Sequence, residues 1–144
     1  MYHRWAAPAL VLALWCLAPE SAAGQSGHPD QQPRGRKAGT LGSNYPNPFK
    51  ADTHIPFTVN CAEGSAGGHV VSVRIYNVLA QLVAVPIAQD SGAPLDGVEL
   101  TCGDHVAYWD GKVRGTGREA APGIYIYELL VDGQRSARKM LVAR

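Results

Sequence analysis

Residues 123–143 read GIYIYELLVDGQRSARKMLVA, and this stretch decides the fold class. Residues 123–131 are rich in isoleucine, tyrosine and valine, which predicts a strand, and residues 136–143 predict another. Between them lies Asp132-Gly133, a dipeptide that readily takes the positive φ angles of a type I′ turn. The stretch therefore predicts an antiparallel β-hairpin.

Further short strands precede this hairpin. Residues 54–60 and 70–76 alternate apolar and polar side chains, the period of a half-buried strand. The apolar residues that share one face of each run are Ile55, Phe57, Val59, Val71, Val73 and Ile75. Residues 82–87 and 105–109 predict two more strands, and Pro86 confines the first of these to a sheet edge or a strand end. Since no run of ten or more residues has a convincing helical period, we predict an all-β, antiparallel fold, either a sandwich or a barrel.

Large side chains are needed to fill the layer between two sheets that pack about 10 Å apart. The candidates for this core are Phe57, Trp109, Tyr125 and Tyr127. Tyr125 follows Pro122-Gly123 at the start of a predicted strand. In that position a tyrosine hydroxyl can bond back to the backbone of the corner, which is a structural role.

The N-terminal 40 residues predict an export signal and a linker. Arg4, the apolar run 6–18 and the small residues 21–24 are typical of a secretory signal over residues 1–24. The apolar run is too short for a transmembrane segment, although a retained anchor is the alternative. Residues 25–40 contain no aliphatic side chain larger than alanine and predict a disordered linker. One domain, residues 41–144, remains.

Composition and motifs exclude several functions. Thirteen basic against twelve acidic residues lack the basic excess of a nucleic-acid binder. No nucleophile elbow, P-loop or dinucleotide fingerprint occurs. The histidines His54, His69 and His105 lack zinc-like spacing, so Cys61, Cys102 and His105 would meet a metal only by coincidence. We predict no catalytic residue, metal, cofactor or small-molecule substrate, and therefore a protein that is not an enzyme.

Several motifs in one order carry a family resemblance. They are Asn44-Tyr45-Pro46-Asn47-Pro48-Phe49 (NYPNPF), residues 71–80, Trp109-Asp110-Gly111, residues 123–127, and Arg138-Lys139-Met140-Leu141-Val142. Together they resemble the type A C-terminal sorting domain of type IX secretion cargo, a relative of the immunoglobulin-like domain of the flagellar hook-capping protein. The resemblance covers residues 41–144 and implies an immunoglobulin-like β-sandwich of about seven strands.

The resemblance also implies a partner, an outer-membrane secretion translocon. Its contacts would be the residues of the last strand, Arg138, Lys139, Met140, Leu141, Val142 and Arg144, with the hairpin around Asp132-Gly133. The NYPNPF segment would open the domain, with Tyr45 and Phe49 plugging one end of the sandwich. Its prolines would hold it extended and unable to template another strand.

The immunoglobulin-type strand order that the resemblance implies would place Cys61 and Cys102 close enough to form a disulfide. In that order the strand that ends near Cys61 and the strand that begins near Cys102 are antiparallel neighbours, so a disulfide is expected in an exported protein. The alternation of side chains places Cys61 on the same face as Ile55 and Val59, but Cys102 on the face opposite His105 and Ala107. A bulge at Gly103 would bring Cys102 to the same face as Cys61.

Two functions follow as hypotheses. The first is an exported protein whose domain serves as a type IX sorting and surface-targeting module. The second is a standalone structural or binding module that pairs with another surface protein through a sheet edge. A remnant of a larger gene is a further possibility. In each case the protein would pass through the periplasm to the cell surface or the medium.

Overall fold

The computed structural model describes residues 35–62 and 67–143. The strands in these ranges are β1 (Gly39–Leu41), β2 (Thr53–Val59), β3 (His69–Asn77), β4 (Leu82–Ala84), β5 (Ile87–Ala88), β6 (Val98–Leu100), β7 (Gly103–Trp109), β8 (Gly123–Val131) and β9 (Gln134–Val142). Across the described part of the chain no helix is present that could cross a membrane. The predicted signal, the linker up to residue 34 and Arg144 lie outside the described residues.

The strands form two antiparallel sheets. One has the order β1-β2-β7-β5, and the other has the order β4-β3-β8-β9, with β6 paired beside β4 on β3. The prediction of an all-β, antiparallel fold is confirmed. The described residues contain nine strands, where about seven were expected.

The core lies between the two sheets and is built by the alternating runs. The six apolar residues predicted to share the inner faces of residues 54–60 and 70–76 are at most 3% exposed. Phe57, Trp109, Tyr125 and Tyr127 are buried as well. The Tyr125 hydroxyl donates to the carbonyl of Ala121 at 2.9 Å, the corner bond that its position after Pro122-Gly123 predicts.

Two local features raise the strand count. Residues 82–87 do not form one strand, because the chain leaves one sheet after β4 and joins the other at β5. Pro86 lies at this crossing, where its carbonyl accepts from Leu95 N at 2.9 Å. Strand β1 begins at Gly39, inside the stretch predicted to be linker. A Cβ at Gly39 would meet Val131 Cγ2 at 2.5 Å, so glycine permits this close approach.

Candidate functional site

The hairpin of β8 and β9 presents the predicted sorting residues. Asp132 and Gly133 have φ angles of 48° and 80°, as the two central residues of a type I′ turn require. The pairing runs without a shift from Val131↔Gln134 to Gly123↔Val142. Among the described strands, β9 pairs with β8 alone and forms an edge of its sheet.

The side chains of β9 divide between the core and the solvent. Met140 and Val142 are buried, so they stabilise the sandwich and are not free to contact a partner. Lys139 is exposed, and Leu141 keeps 40% of its surface accessible. Arg138 lies on the face opposite Lys139, as predicted, and donates to Leu41 O at 3.1 Å. The outer face of β9 therefore offers only part of the predicted contact set.

The backbone edge of β9 is covered along its last residues by the NYPNPF segment. Leu141 N donates to Asn47 Oδ1 at 3.0 Å, and Phe49 N donates to Leu141 O at 3.1 Å. Ala143 N donates to Phe49 O at 2.7 Å. Because edge-facing groups recur at every second residue of a strand, Lys139 and the two alternate residues before it face the same edge, beyond this cover. The NYPNPF segment thus closes one end of the edge. Over the rest, the described residues form no backbone hydrogen bond with this edge, but residues 38–41 lie beside it, where Ala38 N donates to Gln134 Oε1 at 2.9 Å and Arg138 donates to Leu41 O.

Phe49 fixes the NYPNPF segment to the core. Its ring is 1% exposed and meets Trp109 edge to face at a centroid distance of 5.3 Å. Tyr45 was also expected to plug the sandwich, and that prediction is wrong. Its ring is 52% exposed and stacks on His54 at 5.3 Å, because the Tyr45↔His54 bridge holds it on the outside of the sheet. The segment therefore bridges neighbouring strands despite its two prolines.

The start of the NYPNPF segment is held by buried hydrogen bonds. Asn44 N donates to the Tyr127 hydroxyl at 3.1 Å, and that hydroxyl donates to Gly42 O at 2.8 Å. Burial raises the pKa of Tyr127 above its ordinary value. The Asn44 side chain donates to Thr53 Oγ1 at 3.0 Å and to Pro46 O at 3.2 Å. Both prolines, Pro46 and Pro48, follow cis peptide bonds.

A second cluster lies around the predicted disulfide, which is present between Cys61 and Cys102 with a Cα–Cα distance of 5.7 Å. The two cysteines flank the pair β2 and β7, whose register ends at Val59↔Gly103. The expected bulge does not occur. Instead Gly103 takes a φ of +123° immediately after Cys102, a conformation that favours glycine.

His69, the first residue of β3, lies directly against this disulfide. Its Nε2 is 3.1 Å from Cys61 Sγ, and its Nδ1 is 2.5 Å from Asp132 Oδ2. The other carboxylate oxygen of Asp132 accepts from Val70 N at 2.9 Å. The bond from His69, and then the bond from Val70 N, hold the pKa of Asp132 below its ordinary value. We call Cys61, Cys102, His69 and Asp132 the disulfide–histidine site.

The arrangement fixes the orientation of the imidazole. Since the Asp132 carboxylate accepts from Nδ1–H, the Nε2 atom of His69 is the one that meets sulfur. The two Sγ atoms and this imidazole each offer a possible metal ligand, and the three atoms lie within 4.8 Å of one another. Cysteine binds a metal as the thiolate, so Cys61 and Cys102 do not form a metal site while they are joined in a disulfide.

The choice of histidine is a correction to the sequence analysis. His105 was the residue weighed beside the cysteines, but its Nε2 donates to Thr101 O at 2.9 Å and its ring stacks on Phe57. His69 takes the place because β3 and β8 pair as Val71↔Val131. That register brings the start of β3 beside the turn that follows β8. An assumed pairing of β3 with β8 could have placed His69 beside the disulfide, whereas the spacing of possible ligands along the sequence could not.

No family model matches this sequence, and no curated protein matches it either. One similar solved structure is the Pseudomonas fluorescens alkylpurine DNA glycosylase AlkC bound to DNA containing an abasic site analog. The match has 15% identity and a TM-score of 0.44, and it covers 75% of this chain and 31% of that chain. That protein is named as a glycosylase, an enzyme, and we withdraw the prediction that the present chain is not an enzyme. At this TM-score the match supports no statement about the reaction or ligand of the present chain.

Proposed function

We propose that this chain is an exported protein whose immunoglobulin-like domain acts as a type IX sorting module. The partner is an outer-membrane translocon, and the contact is made by the outer face and open edge of β9. The observation that carries the proposal is the position of β9. It is an edge strand of nine residues that keeps Lys139 and Leu141 accessible.

The way β9 is built supports a recognition role. Met140 and Val142 anchor the strand in the core, so its accessible residues are held on a rigid element. The NYPNPF segment closes only the last part of the backbone edge, through Asn47 and Phe49. A partner strand could pair with the remaining edge, since exposed edges bind extended segments by main-chain hydrogen bonds.

Export is supported by two independent features. The sequence of residues 1–24 is typical of a secretory signal. The Cys61–Cys102 bond is of a kind that persists in oxidising compartments.

The test is a secretion assay in a bacterium that has a type IX translocon. A reporter is inserted between Gly24 and Gln25, and Lys139→Glu is combined with Leu141→Ser on the outer face of β9. Both side chains are exposed, so we expect the domain to fold while the reporter is retained in the periplasm. Deleting the whole strand would be less informative, because the buried Met140 and Val142 would be lost with it.

Lys112→Glu is the matched control. Lys112 is exposed on the loop that follows β7, and the substitution makes the same change of charge. We expect the control reporter to leave the cell at the level of the unsubstituted fusion. Equal export of all three fusions would contradict the proposal.

A second function, a surface module that binds another protein through a sheet edge, is favoured by one observation. On the same outer face as Leu141 lies its cross-strand neighbour Ile124, which is 51% exposed. Ile124 and Leu141 would provide an apolar contact for a strand of the bound partner. Retention of even the unsubstituted fusion in the periplasm would favour this function over sorting.

A further inference from the structure

The Cys61–Cys102 bond has neighbours that a simple crosslink does not need. His69 Nε2 contacts Cys61 Sγ at 3.1 Å, and Asp132 holds the opposite nitrogen of the ring. Sulfur, imidazole and carboxylate thus stand in a row, the order in which proteins activate a nucleophile with a base and an orienting group. We propose that Cys61–Cys102 is an exchange-active disulfide that reacts with thiols, and that His69 supplies the proton to Cys61.

The two sulfurs have different roles because their surroundings differ. Cys102 is exposed, whereas Cys61 is half-buried beneath the imidazole of His69. An incoming thiolate therefore attacks Cys102 Sγ. His69 Nε2 lies 3.1 Å from Cys61 Sγ, which marks Cys61 as the leaving group.

The exchange is balanced without any further oxidant. A bond forms between the incoming sulfur and Cys102 Sγ, while the bond between Cys102 Sγ and Cys61 Sγ breaks. The electron pair leaves on Cys61 Sγ, which takes the proton from His69 Nε2. The proton that the incoming thiol lost on ionisation returns to the imidazole through solvent. The products are a mixed disulfide at Cys102 and a Cys61 thiol.

Asp132 acts as a positioning residue in this step. Its carboxylate accepts from Nδ1–H and so directs Nε2 at sulfur. The left-handed φ of 48° places Asp132 in the β8–β9 turn. Asparagine tolerates that conformation, so Asp132→Asn removes the charge and leaves the turn intact.

The rate of exchange with glutathione tests the proposal on the full chain. Cys16 is replaced by serine in every variant, so that only Cys61 and Cys102 supply thiols. The reaction is stopped with acid, free thiols are alkylated, and the mixed disulfide is followed by mass spectrometry. We expect His69→Gln to react at least about 100-fold more slowly, the low end of what a positioned proton donor contributes.

His105→Gln is the matched control, since His105 lies on β7 and contacts no sulfur in the described structure. We expect its rate to stay within about twofold of the unsubstituted chain. Asp132→Asn should slow exchange and shift the ¹⁵N resonances of the His69 imidazole, which a purely structural role would leave in place. An unchanged rate in His69→Gln, or an equal loss in His105→Gln, would overturn the proposal.

The position of glutathione gives a test that does not depend on any histidine variant folding. Peptide mapping of the chain that retains all its histidines should find glutathione on Cys102 and the alkylated free thiol on Cys61. Glutathione mainly on Cys61 would overturn the assignment of roles, as would failure to form any mixed disulfide while the chain is folded.

Discussion

Tyr127→Phe should destabilise the protein far more than the loss of one oxygen atom would suggest. The Tyr127 hydroxyl on β8 accepts from Asn44 N at 3.1 Å and donates to Gly42 O at 2.8 Å. Among the described residues, it is the only hydrogen-bond partner that links these two backbone groups to β8. The ring is 1% exposed, so water cannot replace the oxygen without rearrangement. The substitution removes two hydrogen bonds and leaves the Asn44 amide buried without an acceptor.

The expected cost follows from these contacts. Two ordinary hydrogen bonds and one unsatisfied buried amide amount to about 2–3 kcal/mol of unfolding free energy. In a domain of this size that corresponds to a fall in Tm of roughly 10–20 °C. Tyr125→Phe is the matched control, because its hydroxyl makes a single bond to Ala121 O. That variant should lose about 1 kcal/mol.

Urea unfolding followed by circular dichroism measures both variants. A loss below about 0.5 kcal/mol for Tyr127→Phe would refute the reasoning, since less than one ordinary hydrogen bond would then be missing. The dependence of the unfolding free energy on pH in the alkaline range gives a second test. Because burial raises the folded pKa of Tyr127, its contribution is complete below the unfolded value of about 10 and is lost as the pH rises through the folded value. Tyr127→Phe should therefore show a flatter alkaline limb.

Three further predictions concern the disulfide, the NYPNPF segment and the β8–β9 turn. Replacing Cys61 and Cys102 together by serine should cost about 4 kcal/mol in urea unfolding, as the chain-entropy model gives for a separation of 41 residues; a loss below about 1 kcal/mol would contradict this. Phe49→Ala should cost about 3–5 kcal/mol in the same assay, while the exposed Tyr45→Ala should stay within about 0.5 kcal/mol; equal losses would contradict the assigned packing. The His69 bond lowers the folded pKa of Asp132, so its contribution is present above the unfolded value of about 3.9 and is lost as the pH falls through the folded value. Asp132→Asn should flatten the acid limb of a stability profile, and an unchanged limb would contradict this sign.

Local patterns in the sequence were enough to predict most of the sandwich. The alternation of Ile55, Phe57 and Val59 determined which face is buried, because side chains point to opposite faces at successive strand residues. Asp132-Gly133 predicted the β8–β9 turn, since this dipeptide accepts two positive φ angles. The pairing of Cys61 with Cys102 needed more than local patterns, because it was predicted from the immunoglobulin-type strand order that the family resemblance implies.

Features that depend on long-range contacts could not be predicted in the same way. Residues 82–87 read as one strand, yet the chain changes sheets near Pro86, which no local period records. Gly39 was predicted to lie in the linker, and only its pairing with Val59 makes it a strand residue. His69 and Asp132 are 63 residues apart, so their contact follows from the register of β3 on β8 rather than from any motif.

Contact between β9 and a translocon is the central claim, and site-specific crosslinking tests it most directly. A photoreactive amino acid is placed at position 139 on the outer face of β9, and at position 112 as the control, in the reporter fusion expressed in a cell with a type IX translocon. We predict that illumination joins the position-139 fusion to an outer-membrane component of the translocon, while the position-112 fusion gives no such product. Absence of the product at position 139 in a fusion that is nevertheless exported would contradict the account.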